Sequence, residues 1–400
     1  MLLLVLLAGC GGDGGEERSE PLDEDTLVIY SSLPHTGGSA AVGDAVAAGQ
    51  RLALSDSRNR VGRYMIKLVE LDSAEPDERD WDPDRVAENA GTGADDDAAV
   101  AYLGELELGA SAVSLPVTNE ESILQVSPTD GLTSLTVPQS EPGGEPERFY
   151  PAESPNFLRL VPPDSTQAGP LATLASRAGA TRVALAHDGG IFGRQLAGAV
   201  EQAATDRGLE VTTVERVEPD LDEAASLARG LAEDAPGAVI YLGIGGDPAE
   251  TVLAAMADPQ LAEVPLLAAS PLARAGALPA GEPTRPVTVV SPMLPARQYP
   301  TKGRRVLERL EDEGGGAPPV EALYGYESMR LVLQALRAAG GKATEREALI
   351  AAARDRGPLG SVIGPYRLDD RGDTSRRPLA LYELERGGLE YRGRAPGSDR

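Results

Sequence analysis

Short apolar runs alternate with longer amphipathic stretches along most of the chain, the signature of β-α-β units built on parallel strands. The run Leu27 to Leu33 predicts a first strand, followed by a Gly-containing loop and a helix from about Val42 to Ser55. A strand near Tyr64 to Leu71 comes next, then a helix over Asp84 to Ala90, with Asp82 placed as its N-cap and Pro83 at its first position. A strand near Val100 to Leu103, a short helix around Ala110 to Val117 and a strand from Ile123 to Val126 complete this group.

The segment Val137 to Pro155 is rich in Pro, Gly and Glu and interrupts the rhythm, marking a boundary or an excursion. A second run of the same kind follows. Its strands are expected near Phe157 to Val161, Arg182 to Ala186, Glu210 to Val217, Ala238 to Leu242 and Pro265 to Ala268, separated by helices near Ala168 to Arg177, Gly193 to Asp206, Glu223 to Glu233 and Ala249 to Ala257. Beyond Pro286 to Ser291 the chain reads as helical through Lys302 to Glu313, Val320 to Ala339 and Thr344 to Arg354. It closes on strand-like pieces at Gly364 to Leu368 and Leu379 to Leu384.

The N-terminus has a different character. Residues 1–10 read MLLLVLLAGC, an uncharged apolar run ending in small residues and the chain's single cysteine, Cys10. That is the form of a bacterial lipoprotein signal, cleaved before a cysteine that then carries acyl chains. No basic residue precedes the run, which points to a start further upstream. Gly11 to Glu17 has nothing apolar to bury and suits a flexible tether. A single cysteine excludes internal disulfides and multi-cysteine metal sites. With 63 acidic against 37 basic side chains the formal net charge is −26, which argues against nucleic acid or an anionic membrane surface as partner.

The order of the motifs resembles one family, the extracytoplasmic substrate-binding proteins of branched-chain amino acid type ABC importers. Leu33-Pro34-His35-Thr36-Gly37 with Gly43 looks like its first ligand loop, and Trp81-Asp82-Pro83 with Val86-Ala87 like its second-helix entry. Phe157-Leu158-Arg159, Pro162, Asp164 and Gln167 resemble the segment that opens its second lobe. Val183 to Asp188 with Phe192-Gly193, and Gly364 to Asp369 with Gly372-Asp373, are similar to a following strand and to its closing hairpin. The resemblance implies an α/β fold of two doubly wound parallel-sheet lobes joined by three crossovers, with the ligand held in a cleft at the carboxyl ends of the strands. It places residues 26–145 and 284–363 in an N-terminal lobe and 146–283 and 364–395 in a C-terminal lobe, behind a signal at 1–9 and a tether at 10–25. Crossovers are expected near Val137 to Pro155, Gly281 to Pro286 and Gly357 to Pro365.

Carried over from that family, the candidate ligand contacts are His35, Thr36, Leu108, Gly109, Thr129, Asp130, Gly131, Phe192, Gly245, Asp247 and Ser270. Thr129 and Ser270 offer hydroxyls and Phe192 a ring, while His187 ends a strand at the same edge. In amino-acid-binding relatives the ligand carboxylate meets hydroxyls and backbone N–H groups at helix N-termini. Here the third-strand loop reads Gly104-Glu105-Leu106-Glu107-Leu108-Gly109, two acids and no hydroxyl. Those acids either repel a carboxylate or face solvent. Asp130 either meets a cation or closes a turn, and Phe192 either walls the cleft or packs in the core.

Several motifs are set aside. Asp80, Asp82 and Asp84 have calcium-loop spacing, but Arg85 stands where the glycine is required and Gly91 where the closing Glu belongs. Arg371-Gly372-Asp373 reads as a turn. No nucleophile elbow, zinc helix or phosphate loop occurs, so neither cofactor nor metal is implied. The resemblance implies a lipid-anchored extracytoplasmic receptor that delivers a small polar solute to an ABC permease. A ligand sensor on the same fold, or a cleft enzyme, are the alternatives.

Overall fold

The structure is a computed structural model that describes residues 25–76, 81–106, 108–139, 144–218, 220–274, 277–278, 283, 285–356, 360–385 and 388–398. The expected signal, Cys10 and most of the tether lie outside the described residues, as does Glu107. The rest forms two sheets with helices packed around them.

The first sheet contains β1 (Thr26–Leu33), β2 (Arg60–Val61), β3 (Tyr64–Asp72), β4 (Ala99–Leu103), β5 (Leu124–Ser127) and β6 (Phe157–Arg159), in the order β2-β3-β1-β4-β5-β6. All pairings are parallel except that of β2 with β3. Every residue of β1 from Leu27 onward is buried, as expected of a central parallel strand covered on both faces. The helices α1 (Ala40–Asp56), α2 (Pro83–Ala94) and α3 (Ser111–Glu120) follow β1, β3 and β4. Asp82 caps α2 by accepting the Arg85 N–H at 2.8 Å, with Pro83 at the first helical position.

The second sheet holds β7 (Arg182–His187), β8 (Glu210–Arg216), β9 (Ala238–Tyr241), β10 (Leu266–Ala268), β11 (Val287–Ser291), β12 (Ala380–Glu385) and β13 (Gly388–Arg394), in the order β13-β12-β11-β10-β9-β7-β8. Pairing is parallel from β8 to β11 and antiparallel through β12 and β13. Its helices are α4 (Ala168–Arg177), α5 (Ile191–Thr205), α6 (Ala224–Asp234) and α7 (Asp247–Ala255).

Three further helices, α8 (Thr301–Gly314), α9 (Ala322–Ala339) and α10 (Arg346–Arg356), return toward the first sheet. Their anchor is the crossing of α9 on α1. A Cβ added to Gly49 would lie 2.1 Å from the Ala322 carbonyl oxygen, and one added to Gly325 would lie 2.1 Å from that of Val46. The two backbones therefore touch at a point where no side chain fits. Beside it, Arg309 of α8 grips the Asp56 carboxylate with both Nη atoms, at 3.0 and 2.9 Å.

Two strands lie on a different sheet from the one their sequence position suggested. Phe157–Arg159, expected to open the second lobe, pairs with β5 at the edge of the first sheet. Val287–Ser291, expected in the N-terminal lobe just after a crossover near Gly281 to Pro286, pairs with β10 in the second sheet. The chain thus leaves the first sheet after β6, not within Val137 to Pro155, and leaves the second after β11. A buried parallel strand is an apolar run whatever its neighbour, so local pattern carries no record of the partner. Gly364 to Leu368 forms no strand, and Leu368 makes only an isolated bridge to Thr374.

Candidate functional site

The carboxyl ends of strands from both sheets converge on a narrow cavity of about 30 Å³. Leu108 after β4, Thr129 after β5, and Val161 and Asp164 after β6 line it from one side; Ser270 after β10 and Met293 after β11 line it from the other. Arg274 and Glu321 also border it. Two side-chain links bridge the loops of the two sheets. The Gln167 side chain accepts from the Ser270 N–H at 2.9 Å and approaches its hydroxyl at 3.2 Å, while that of Gln195 on α5 accepts from the Ser134 N–H at 3.1 Å and donates to its hydroxyl at 2.8 Å.

Three buried carboxyl groups surround the first-sheet wall, and they differ in what satisfies them. Glu105 accepts from the Ser32 hydroxyl at 2.8 Å and the Tyr102 hydroxyl at 2.7 Å, and burial pushes its pKa up to about 8. It faces the protein interior, neither solvent nor solute. Asp130 accepts three backbone N–H groups, from Gly109 at 3.0 Å, Ser111 at 2.9 Å and Leu132 at 3.0 Å. Burial raises its pKa while those donors oppose the rise. Of the two readings of Asp130, a cation partner or a turn or helix cap, the geometry is that of the second: the carboxylate is turned onto the N-terminus of α3, where backbone donors and helix dipole favour an anion.

Asp164 is the third. Its Oδ1 accepts from Gln167 Nε2 at 3.2 Å, but its Oδ2 is buried with no hydrogen-bond partner among the described residues. Burial, reinforced by the neighbouring Asp130 carboxylate, pushes its pKa up to about 7 against the opposing pull of Arg159. The carboxyl lies so close to Gly131 that a Cβ there would meet Oδ1 at 2.5 Å, so the missing side chain of Gly131 is what admits it.

The other expected contacts are spread around this cavity. Thr129 lines it but spends its hydroxyl proton on the Leu106 carbonyl at 2.6 Å. Gly109 takes a positive φ of 93° and packs against Ile191 and Leu132. Phe192 is 3% exposed inside a core with Leu196, Leu185 and the flank of Leu108, so it is a packing residue and supports the cavity wall from behind. His35 and Thr36 are tied to the end of β3 and to α1: the His35 N–H reaches Asp72 at 2.8 Å, its Nδ1 lies 2.8 Å from Asp44, and the Thr36 hydroxyl donates to the Ala74 carbonyl. His187 accepts the Gly189 N–H at Nδ1, a satisfied turn. Gly245 lies against the backbone of Ala277, and Asp247 opens α7; neither lines the cavity. Asp164, Arg274 and Glu321 were not among the expected contacts. Asp164 stands within the motif that suggested the family, and its place just after a strand end was the available signal.

A larger groove of about 610 Å³ lies on the 137–155 excursion, lined by Pro138, Pro146, Tyr150, Pro155 and Arg371 among others. None of the expected contacts borders it.

Comparison with known proteins agrees with this architecture. The chain is 24% identical over 368 residues to the Leu/Ile/Val-binding protein homolog 2 of Brucella abortus, covering 90% of this chain and 91% of that one. A leucine binding protein of Thermotoga maritima has a similar structure, with a TM-score of 0.74 at 20% identity, over 93% of this chain and 99% of that one. So has a solute binding protein from R. palustris in complex with benzoate, with a TM-score of 0.71 at 20% identity, over 94% and 98%. Among the described residues no helix is long and apolar enough to cross a membrane. The model of the periplasmic binding protein family matches residues 31–389, and the chain belongs to that family.

Proposed function

We propose that this chain is an extracytoplasmic receptor that takes up a small solute in the cavity between its two sheets and presents it to an ABC permease. The observation that carries the reading is the convergence of Thr129, Asp164 and Ser270, from loops at the carboxyl ends of strands in both sheets, on one cavity. Each sheet with its helices acts as a lobe, and the chain segments after β6, after β11 and before β12 serve as the hinge. The narrowness of the cavity fits a closed arrangement, which opens to admit a solute. Cys10 carries the lipid that holds the receptor at the membrane surface, and the polar segment behind it is the tether.

Relatives with this fold bind leucine and benzoate, both carboxylates. In this chain the Gly109 and Ser111 N–H groups at the start of α3 are already occupied by Asp130, so a solute carboxylate is not taken there. A thermal-shift screen of the chain against amino acids, amides, polyamines and small carboxylates tests the reading, because a solute that binds only the folded state raises the melting temperature. No shift with any class would count against it. Membrane fractionation of a Cys10→Ser variant tests the anchor. The variant is expected in the soluble fraction, and full membrane retention would refute lipid attachment.

A further inference from the structure

In a chain with 63 acidic and 37 basic side chains, residues 57–69 carry the basic groups Arg58, Arg60, Arg63 and Lys67 and no acid. They occupy the turn after α1 and the β2–β3 hairpin, and all four are exposed. Arg58, Arg60 and Lys67 have no carboxylate partner among the described residues. The acids bordering them already hold a cation: Asp25 meets Arg63 at 3.2 Å, Glu70 meets Arg51 at 2.6 Å, and Asp56 is gripped by Arg309. Arg58 takes a φ of 58° just beyond α1, a turn position that glycine usually fills, so a charge stands where conformation alone favours no side chain. Met65 shares the outer face of β3 with Lys67, is 40% exposed, and has the Arg60 guanidinium on its sulfur at 3.1 Å.

This patch lies where the chain enters the fold. The Met65 N–H donates to the Asp25 carbonyl at 2.9 Å, and β1 begins beside it at Thr26. The segment 10–24, even fully extended, spans at most about 50 Å, so this is the face that an anchor at Cys10 holds nearest to the membrane. Over the whole molecule a net charge of −26 opposes an anionic bilayer, and a molecule tied close to one turns a basic face toward it.

We propose that the hairpin bearing Arg58, Arg60, Arg63 and Lys67 is the face on which the anchored chain rests, taking the phosphate-bearing headgroups of an anionic bilayer while Met65 meets the interface. This rests on the reading that Cys10 holds the chain at a membrane. Each basic side chain near such a surface contributes an attraction that salt screens. The cavity lies at the opposite, carboxyl end of the same parallel strands, so this contact leaves it uncovered.

Oxidation footprinting of Met65 tests the proposal. The full chain is coupled through Cys10 to a maleimide-bearing lipid, in vesicles of phosphatidylcholine or of equal parts phosphatidylcholine and phosphatidylglycerol, and sulfoxide formation by hydrogen peroxide is followed by mass spectrometry. Because the coupling supplies the anchor, failure here is failure of the hairpin contact and not of natural lipid attachment, which the Cys10→Ser fractionation tests. Met65 is expected to oxidise several-fold more slowly on the anionic vesicles, with Met293 unchanged as internal reference and the protection lost in high salt. Arg58→Gln/Arg60→Gln/Lys67→Gln should abolish the difference between the two vesicles, while Arg177→Gln/Arg207→Gln/Arg229→Gln, an equal loss of charge around the second sheet, should preserve it. Equal Met65 rates on both vesicles would overturn the proposal, as would protection that survives high salt or that both triple variants lose alike. Inorganic phosphate protecting Met65 as well as the vesicles do would also overturn it, leaving a free-anion site in place of a surface contact.

Discussion

Across 214 residues of sequence, Arg159 Nε donates to Asp373 Oδ1 at 2.6 Å, with both side chains almost wholly buried. The pair fastens the turn at 369–374 to the edge strand of the first sheet, helped by the Arg159 N–H donating to the Gly372 carbonyl at 3.0 Å. Thr136 shares the same carboxylate, donating to its two oxygens at 2.9 and 3.0 Å. The Arg-Gly-Asp tripeptide is therefore a structural turn whose aspartate faces inward.

Breaking this pair from one side leaves a buried charge uncompensated. Asp373→Ala is expected to lower the stability of the folded chain by roughly 3 to 5 kcal/mol, measured by urea denaturation. A loss under about 1 kcal/mol would show that the pair is not buried as described.

The sheet to which each strand belongs shows where local pattern stops being informative. The alternation of strands and helices was legible, down to Asp82 and Pro83 at the start of α2 and a helix at Ala168–Arg177. The sheet partners of β6 and β11 were not, because β6 and most of β11 are buried whichever sheet they join. The same limit applied to the acids. Glu105, Asp130 and Asp164 all follow strand ends, and only the folded geometry distinguishes an acid that caps a helix from one with an oxygen that meets no donor among the described residues.

Asp130 serves α3 and its neighbouring loop. Asp130→Ala strips the acceptor from three backbone N–H groups and is expected to cost roughly 2 to 4 kcal/mol of stability in chemical denaturation. A variant as stable as the parent would mean that those donors find other partners.

The close crossing of α1 and α9 predicts intolerance of a single methyl group. Gly325→Ala places a Cβ 2.1 Å from the Val46 carbonyl oxygen, and the strain is expected to cost about 1 to 3 kcal/mol. Gly198→Ala, on an open helix surface where an added Cβ meets nothing within 4 Å, is the control and should be neutral or mildly stabilising.

Stability should fall as pH rises from about 4 to 8. Burial raises Glu105 from 4.5 to about 8 and Asp164 from 3.8 to about 7. The folded chain keeps these protons where the unfolded chain has lost them, so the cost is absent below the unfolded values and complete above the folded ones. Melting temperatures of the ligand-free chain at pH 5 and pH 8 test this. The parent should melt lower at pH 8, and Asp164→Asn should show a smaller drop. An equal drop in both would mean that Asp164 ionises without penalty.

The location of the solute can be seen in a crystal structure of the chain grown with whichever solute gives the largest thermal shift. Density for that solute is expected between Thr129, Asp164 and Ser270, enclosed by loops from both sheets. Density instead in the groove formed by Pro146, Tyr150 and Arg371, with the cavity at the strand ends unfilled, would contradict it.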